Sequence, residues 1–331
     1  MKILGKNYEV KDVFESFMTV PDCVVVSRNK IGTGHGEAKL YVSSKDTMRE
    51  FYGGKGFDSK CFLLKSDLTG YMNAVKNEYL NPTQAYAGRE DLPSLWKTRF
   101  DYIRKLDDVV FFNIQDQTQI AGDRGYVNSK DEGYDIIREI SLPLVSYISA
   151  MKLTDNADRD YFYWKLFVDF DAIEAKENAL VYTYGKKKDQ NGLKPAPKRQ
   201  NKEIGYARVG QGKYREQLLE ECPFCPFTKI NDERLLIASH IKPWIASNNK
   251  EKTDPKNGYI LSPMYDRLFD RGFITFTSDR KLIVSDWLSP KNRKRIGLEN
   301  GAFIQALPMD DVRAKYLEFH RSSVFHGIVQ E

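Results

Sequence analysis

Apolar positions change their period several times along the chain, and each change predicts an element. Cys23 to Ser27 and Lys39 to Val42 are short apolar, β-branched runs that read as strands on either side of a glycine-rich turn, GTGHG at 32–36. That turn lacks the spacing of a phosphate-binding fingerprint, so it is read as a hairpin loop and His35 receives no chemical role. From Leu92 to Leu106, Leu95, Trp96, Phe100, Ile103 and Leu106 recur near helical spacing with Lys97, Arg99, Arg104 and Lys105 elsewhere, which predicts an amphipathic helix. The stretch VVFFNIQDQTQI then reads as a strand in which Asn113, Gln115, Gln117 and Gln119 alternate, so that four amides would project to one side. Gly122 to Gly125 predicts a turn carrying Arg124. Between Tyr134 and Leu153 the spacing of Ile136, Ile137, Ile140, Leu142, Leu144, Val145, Ile148 and Met151 predicts helix, divided in two at Pro143. Tyr161 to Phe167 is an aromatic run suited to a core or an interface.

A composition break follows. Residues 185–202 hold seven basic side chains, one acid, two prolines and almost nothing apolar, and read as a linker. Beyond it the pattern resumes with a helix over Tyr214 to Glu221. Next come a short apolar strand from Leu235 that ends in Ser239 and His240, a polar loop to Asn257 and Gly258, a second strand Tyr259 to Leu261, and a short helix carrying Asp266 and Asp270. Phe273, Ile274 and Phe276, then Leu282 to Val284, flank a turn and predict a β-hairpin. The terminal KYLEFHRSSVF segment is expected to dock back through Tyr316, Leu317 and Phe319, with His320 and Arg321 near the surface. The fold class is therefore α+β: a mixed α/β region over 1–184, a basic linker over 185–202, and a compact strand-strand-helix unit within 203–331.

Composition refines this picture only slightly. A chain of 331 residues with 41% apolar and 13% aromatic side chains fills two ordinary cores. The net charge of +5 is compatible with an anionic partner without requiring one. Four cysteines in this length do not make a disulfide scaffold. Met1 to Lys6 has no apolar core suited to a signal peptide, and no run approaches the roughly 18 apolar residues of a membrane span, so a cytoplasmic location with no membrane partner is expected.

The chemistry concentrates at the strand-strand-helix. His240 closes an apolar strand that would hold it rigidly, and an imidazole titrates near working pH, as a general base must. Asp266 and Asp270 are spaced i, i+4, so a helix turns both carboxylates to one side, where hard oxygen ligands suit magnesium or manganese. Lys242, two residues after His240, is placed to contact a phosphate. Glu174 and Lys176 form an acidic-x-lysine triplet with no fitting upstream aspartate, and no site is assigned there.

The run ASHIKPW at 238–244, DPKNG at 254–258, LSP at 261–263, Asp266 and LFDRG at 268–272 resembles the HNH (ββα-metal) nuclease module, in particular the branch found in restriction-type endonucleases. The resemblance implies His240 as the base, Asn257 as the residue that orients the base or its loop, and Asp266, nine residues after Asn257, in the place of the last histidine, with Asp270 as a further metal ligand. Two positions depart from the pattern. Ser239 stands where Asp or His usually ligates metal, and Ser262 and Tyr265 stand where a second cysteine pair would join Cys222 and Cys225, so no structural zinc is expected.

What the resemblance implies is magnesium-dependent (or manganese-dependent) hydrolysis of double-stranded DNA, by a homodimer where both strands are cut, with a cognate DNA methyltransferase as a candidate partner in the same system. In that setting the amides of Asn113, Gln115, Gln117 and Gln119 are candidates for base reading, Arg124 for guanine or phosphate, and Lys186, Lys187 and Lys188 for backbone contact. A homing, phage-type nicking or defence-effector nuclease, and a DNA-binding protein with a decayed module, stay open as alternatives.

Overall fold

The computed structural model describes residues 1–25, 38–86, 92–119, 122–170, 172–173 and 212–327. The turn at 32–36, the Glu174 to Lys176 triplet, and the linker with Lys186, Lys187 and Lys188 all lie outside the described residues. The chain divides into two compact units: Met1–Ile173 with Asp286–Leu298, and Glu174–Ser285 with Glu299–Glu331.

The first unit is built on one sheet. Its strands are β1 (Lys2–Ile3), β2 (Lys6–Asn7), β3 (Glu9–Val13), β4 (Met18–Thr19), β5 (Leu40–Ser44), β6 (Asp58–Leu64), β7 (Val109–Asp116), β8 (Arg124–Asn128), β9 (Ser146–Thr154) and β10 (Asp160–Val168). Eight of these form a sheet in the order β3-β9-β10-β6-β7-β8-β5, with β4 also on β9, while β1 and β2 pair separately. The β10/β6 pair is parallel and the other ladders are antiparallel. The helices are α1 (Asp22–Val25), α2 (Lys45–Tyr52), α3 (Lys65–Ala74), α4 (Lys76–Leu80), α5 (Leu92–Lys105) and α6 (Glu132–Ile140). The core centres on Trp164, fully buried, with Phe112 edge-on at 5.5 Å and Tyr52 tilted against it at 6.4 Å.

Three expectations are corrected in this unit. Ser146 to Thr154 is strand β9 rather than a second helix: it lies between β3 and β10, both its faces are covered, and eight of its nine residues are buried. A strand covered on both sides loses its alternation and imitates helical spacing. Cys23 to Val25 belong to the short helix α1, because Pro21 and Asp22 open a turn, with the Val24 amide donating to the Pro21 carbonyl, and burial of Val24 and Val25 overrides their β propensity. The amide-bearing strand stops at Asp116. There the carboxylate accepts from Thr118, Arg49 and Gly56; burial opposes this, but those donors hold the acid down at about 2.

The second unit comprises α7 (residues 212–221), β11 (Ile237–His240), β12 (Gly258–Leu261), α8 (Pro263–Asp270), the hairpin β13 (Ile274–Phe276) and β14 (Leu282–Val284), and α10 (Asp311–Ser323), with α9 (Pro290–Ile296) grouping in the first unit. β11 and β12 pair antiparallel, with Ser239 opposite Tyr259 and His240 opposite Gly258. Pro263 sits in the first turn of α8, where its missing N–H costs nothing. At the far end Gly272 adopts φ +64, and a Cβ there would meet the Val324 carbonyl at 2.1 Å, so the chain reverses at a position only glycine fits.

His320 is not near the surface as expected. It is 1% exposed, its ring stacks on Phe269 at 3.9 Å, its Nε2–H donates to the Phe269 carbonyl at 3.1 Å, and its Nδ1 accepts from the Thr275 hydroxyl at 3.0 Å. Burial pushes its pKa down to about 3, against the opposing pull of the Phe269 carbonyl. The folded state thus excludes a proton that the unfolded chain binds below about 6.5. Stability is full above that pH and falls as pH drops toward 3, by about 1.4 kcal/mol per pH unit from this ring. Urea unfolding between about pH 6.5 and 4.5 should therefore show a steeper loss for the wild type than for His320→Gln.

Candidate functional site

The end of β11 presents two adjacent side chains to opposite faces, as strand geometry requires. Ser239 is buried and faces α8, where its hydroxyl donates to Asp270 Oδ1 at 3.3 Å. His240 faces away and is half-buried. The phenol ring of Tyr214, on α7, lies parallel to the imidazole at 4.4 Å and 10°, and the indole of Trp244 meets it edge-on at 5.5 Å.

One hydrogen bond settles which imidazole nitrogen is basic. His240 Nε2 lies 3.1 Å from the Lys252 carbonyl oxygen, which can only accept. Nε2 therefore carries the proton of the neutral ring, and Nδ1, which meets no hydrogen-bond partner among the described residues, keeps the lone pair. Burial pushes the pKa below the ordinary histidine value; the Lys252 carbonyl opposes this and the Lys252 ammonium adds to it. The ring is neutral, and able to accept a proton, at pH 7.

Asn257 organises the loop that supplies this carbonyl. It is fully buried, its Oδ1 accepts from the Lys242 amide at 2.8 Å, and its Nδ2 donates to the carbonyls of Lys242 and Glu251 and to the Ser247 hydroxyl at 3.1–3.3 Å. Glu251 precedes Lys252, so the amide that fixes the first also places the second. Lys242 is part of the same loop: its ammonium pairs with Glu251 at 2.8 Å and sits over the Phe319 ring at 5.2 Å.

Asp266 and Asp270 lie one turn apart on α8, the first half-buried and the second exposed beside Ser239. No three His, Cys, Asp or Glu side chains gather into a metal cage among the described residues. Magnesium or manganese needs no such cage, since either ion keeps several waters and accepts one or two carboxylates together with a substrate phosphate, so the hard oxygens of Asp266 and Asp270 fit it. Zinc does not fit the cysteine corner. Cys222 and Cys225 are the only thiols there, Cys225 Sγ lies 3.6 Å from the Ser262 hydroxyl, and Tyr265 stacks on Phe227 at 4.0 Å. A hydrogen bond and a ring stack hold together what two more thiolates and an ion would otherwise close.

In the first unit, Asn113 and Gln115 share the exposed side of β7 with Phe111, and Gln115 donates to Asp58 at 3.2 Å. Gln117 and Gln119 follow the end of that strand, and Arg124 is the exposed first residue of β8. Sequence reasoning predicted the helix over Tyr214 to Glu221 but gave Tyr214 no role, and it missed the Ser239–Asp270 bond and Arg313. The Arg313 guanidinium is buried, bonded to both Glu221 carboxylate oxygens and to Asp310, and it donates to the carbonyls of Pro255 and Gly258 on either side of Asn257. Only the local D-D-V-R pattern, an N-cap followed by arginine, hinted at this anchor.

Residues 225–277 match the family described as HNH endonuclease, a span that includes His240, Asn257, Asp266 and Asp270 and excludes Tyr214 and Arg313. No curated protein matches the chain. Within the second unit, residues 225–277 are thus similar to an HNH endonuclease domain. No described helix is long and apolar enough to cross a membrane. Asn257→Ala strips all four hydrogen bonds from a buried position and should lower unfolding free energy by about 2–3 kcal/mol in urea titration.

Proposed function

We propose that this protein is a restriction-type DNA endonuclease whose second unit hydrolyses phosphodiester bonds in double-stranded DNA at a specific or modified sequence read by the first. The observation that carries the proposal is the state of His240: a neutral imidazole with its proton tied to a carbonyl and its basic nitrogen unpaired, one residue from the serine that meets the carboxylate helix.

Nδ1 of His240 takes a proton from water as the water oxygen bonds to phosphorus and the bond to the leaving sugar oxygen breaks. Asn257 keeps the loop and its Lys252 carbonyl in place so that Nδ1, rather than Nε2, meets the water. A magnesium or manganese ion held by Asp266 and Asp270 would supply positive charge for the phosphate and for the leaving oxygen. One such centre cuts one strand, so duplex cleavage calls for a homodimer or two successive nicks. Asn113, Gln115 and Arg124 are the described candidates for contact with bases or backbone in the first unit, and a cognate methyltransferase would protect the host's own sites.

With magnesium, the wild type should cut plasmid DNA, and His240→Ala should lose about 10²- to 10⁴-fold in rate. Because the folded pKa of His240 lies below the ordinary value, the single-turnover rate should rise with pH through the acid range and be level by neutrality, and EDTA should abolish it. Wild type and His240→Ala equally inert on unmodified and methylated DNA would replace the enzyme with a DNA-binding protein.

A further inference from the structure

A neutral imidazole is useful as a base only if its free nitrogen points where the water stands. Two independent constraints act on the His240 ring. The Lys252 carbonyl selects Nε2 over the carbon that a half-turn of the ring would put in its place, but a single hydrogen bond lets the ring plane swing about its axis. Stacking fixes the plane but is indifferent to the half-turn. Together they leave one orientation.

The stacking partner is itself held firmly. Tyr214 is 2% exposed, its hydroxyl donates to the Asn257 carbonyl at 3.0 Å and reaches the Ser239 carbonyl at 3.5 Å, so it bridges the strand that carries His240 and the loop anchor just before β12. The helix under it is fastened at both ends. Arg215 donates to the carbonyls of Leu236 and Glu233 at 2.9 and 2.7 Å, and Glu221 takes the buried Arg313 and Lys256. Room for the phenol comes from Gly258, opposite His240 in the ladder. Its backbone is extended, which any residue tolerates, but a Cβ there would lie 2.0 Å from the Tyr214 hydroxyl and 2.8 Å from the ring carbon bearing it.

We propose that Tyr214 is a positioning residue of the hydrolytic site: its ring sets the plane of the His240 imidazole and so keeps Nε2 on the Lys252 carbonyl, while its hydroxyl anchors the phenol to the Asn257 carbonyl. This rests on the reading of His240 as the base, and Tyr214 itself touches no reacting atom. It lies outside the span matched to the HNH family, so the site is completed by a helix that precedes the matched residues.

The test compares Tyr214→Phe, which keeps the stack, with Tyr214→Leu, which removes it. In the full-length protein, Tyr214→Leu should lower kcat on plasmid by about 10- to 100-fold with KM unchanged, since small displacements of a catalytic group cost rate rather than binding. Tyr214→Phe should restore most of that rate. Nitrogen-15 NMR of the histidines, recorded without DNA, should show His240 with its proton on Nε2 in the wild type and in Tyr214→Phe, and a mixture of both tautomers in Tyr214→Leu. Should Tyr214→Leu not fold, Tyr214→Met fills the same space without a planar ring and is held to the same outcome. Unaltered His240 resonances in the leucine or methionine variant overturn the proposal, as does an equal loss of kcat in the phenylalanine and leucine variants. The NMR arm decides the matter even if the wild type proves not to cut DNA, so failure of the positioning role and failure of the endonuclease reading give different results.

Discussion

The second unit depends on a buried amide. Asn257 sits at zero exposure with every hydrogen-bonding atom of its side chain engaged by the loop that runs from Lys242 to Glu251. A loop of that length has many conformations to lose, and most of its backbone could be satisfied by water instead. Four hydrogen bonds from one interior side chain select a single path, because any other would strand the amide without partners in a place water does not reach. The carbonyl of Lys252, and through it the proton on His240, are consequences of that path.

The amide is in turn held by charge. Arg313 brings a full positive charge into the interior, a costly placement unless it is met by anions and carbonyls. Glu221 and Asp310 meet it, with Lys256 sharing both acids, and the guanidinium spans the backbone before and after Asn257. The pattern gathers α7, the loop and α10 around one short strand pair. A small ββα motif has too little apolar surface to be rigid alone. Here buried polar contacts, and a serine-cysteine hydrogen bond with an aromatic stack at the corner, give it that definition.

Coverage by neighbouring elements accounts for part of the divergence from the sequence reading. Where a segment is covered on one side, its pattern was legible: Leu92 to Lys105 is the amphipathic helix its spacing predicts. Where a segment is covered on both sides, the pattern dissolved. β9 lost its alternation and passed for helix, and the C-terminal His320, polar by composition, was drawn into the core by a stack on Phe269 and two hydrogen bonds that no local window contains. The four-amide strand failed for another reason: the Asp116 carboxylate accepts from Arg49 and Gly56, distant in sequence, and from the Thr118 amide just beyond it, and the strand ends there.

The linear order of residues by itself determined the ββα motif, the candidacy of His240 and Asn257, and the pairing of Asp266 with Asp270 on one helical side, because each depends on spacing of a few residues within one element or on a short motif. Only the tertiary structure decided which nitrogen of His240 keeps the lone pair, that Ser239 rather than His240 meets the helix, that Tyr214 stacks on His240, and that Asp286–Leu298 groups with the first unit through Trp287 on Tyr163 and Phe167 and through Ser289 and Asn292 on Glu15. Those outcomes rest on contacts between positions 12 to 277 residues apart, whose formation depends on how whole elements pack. Spacing along the chain carries no record of them.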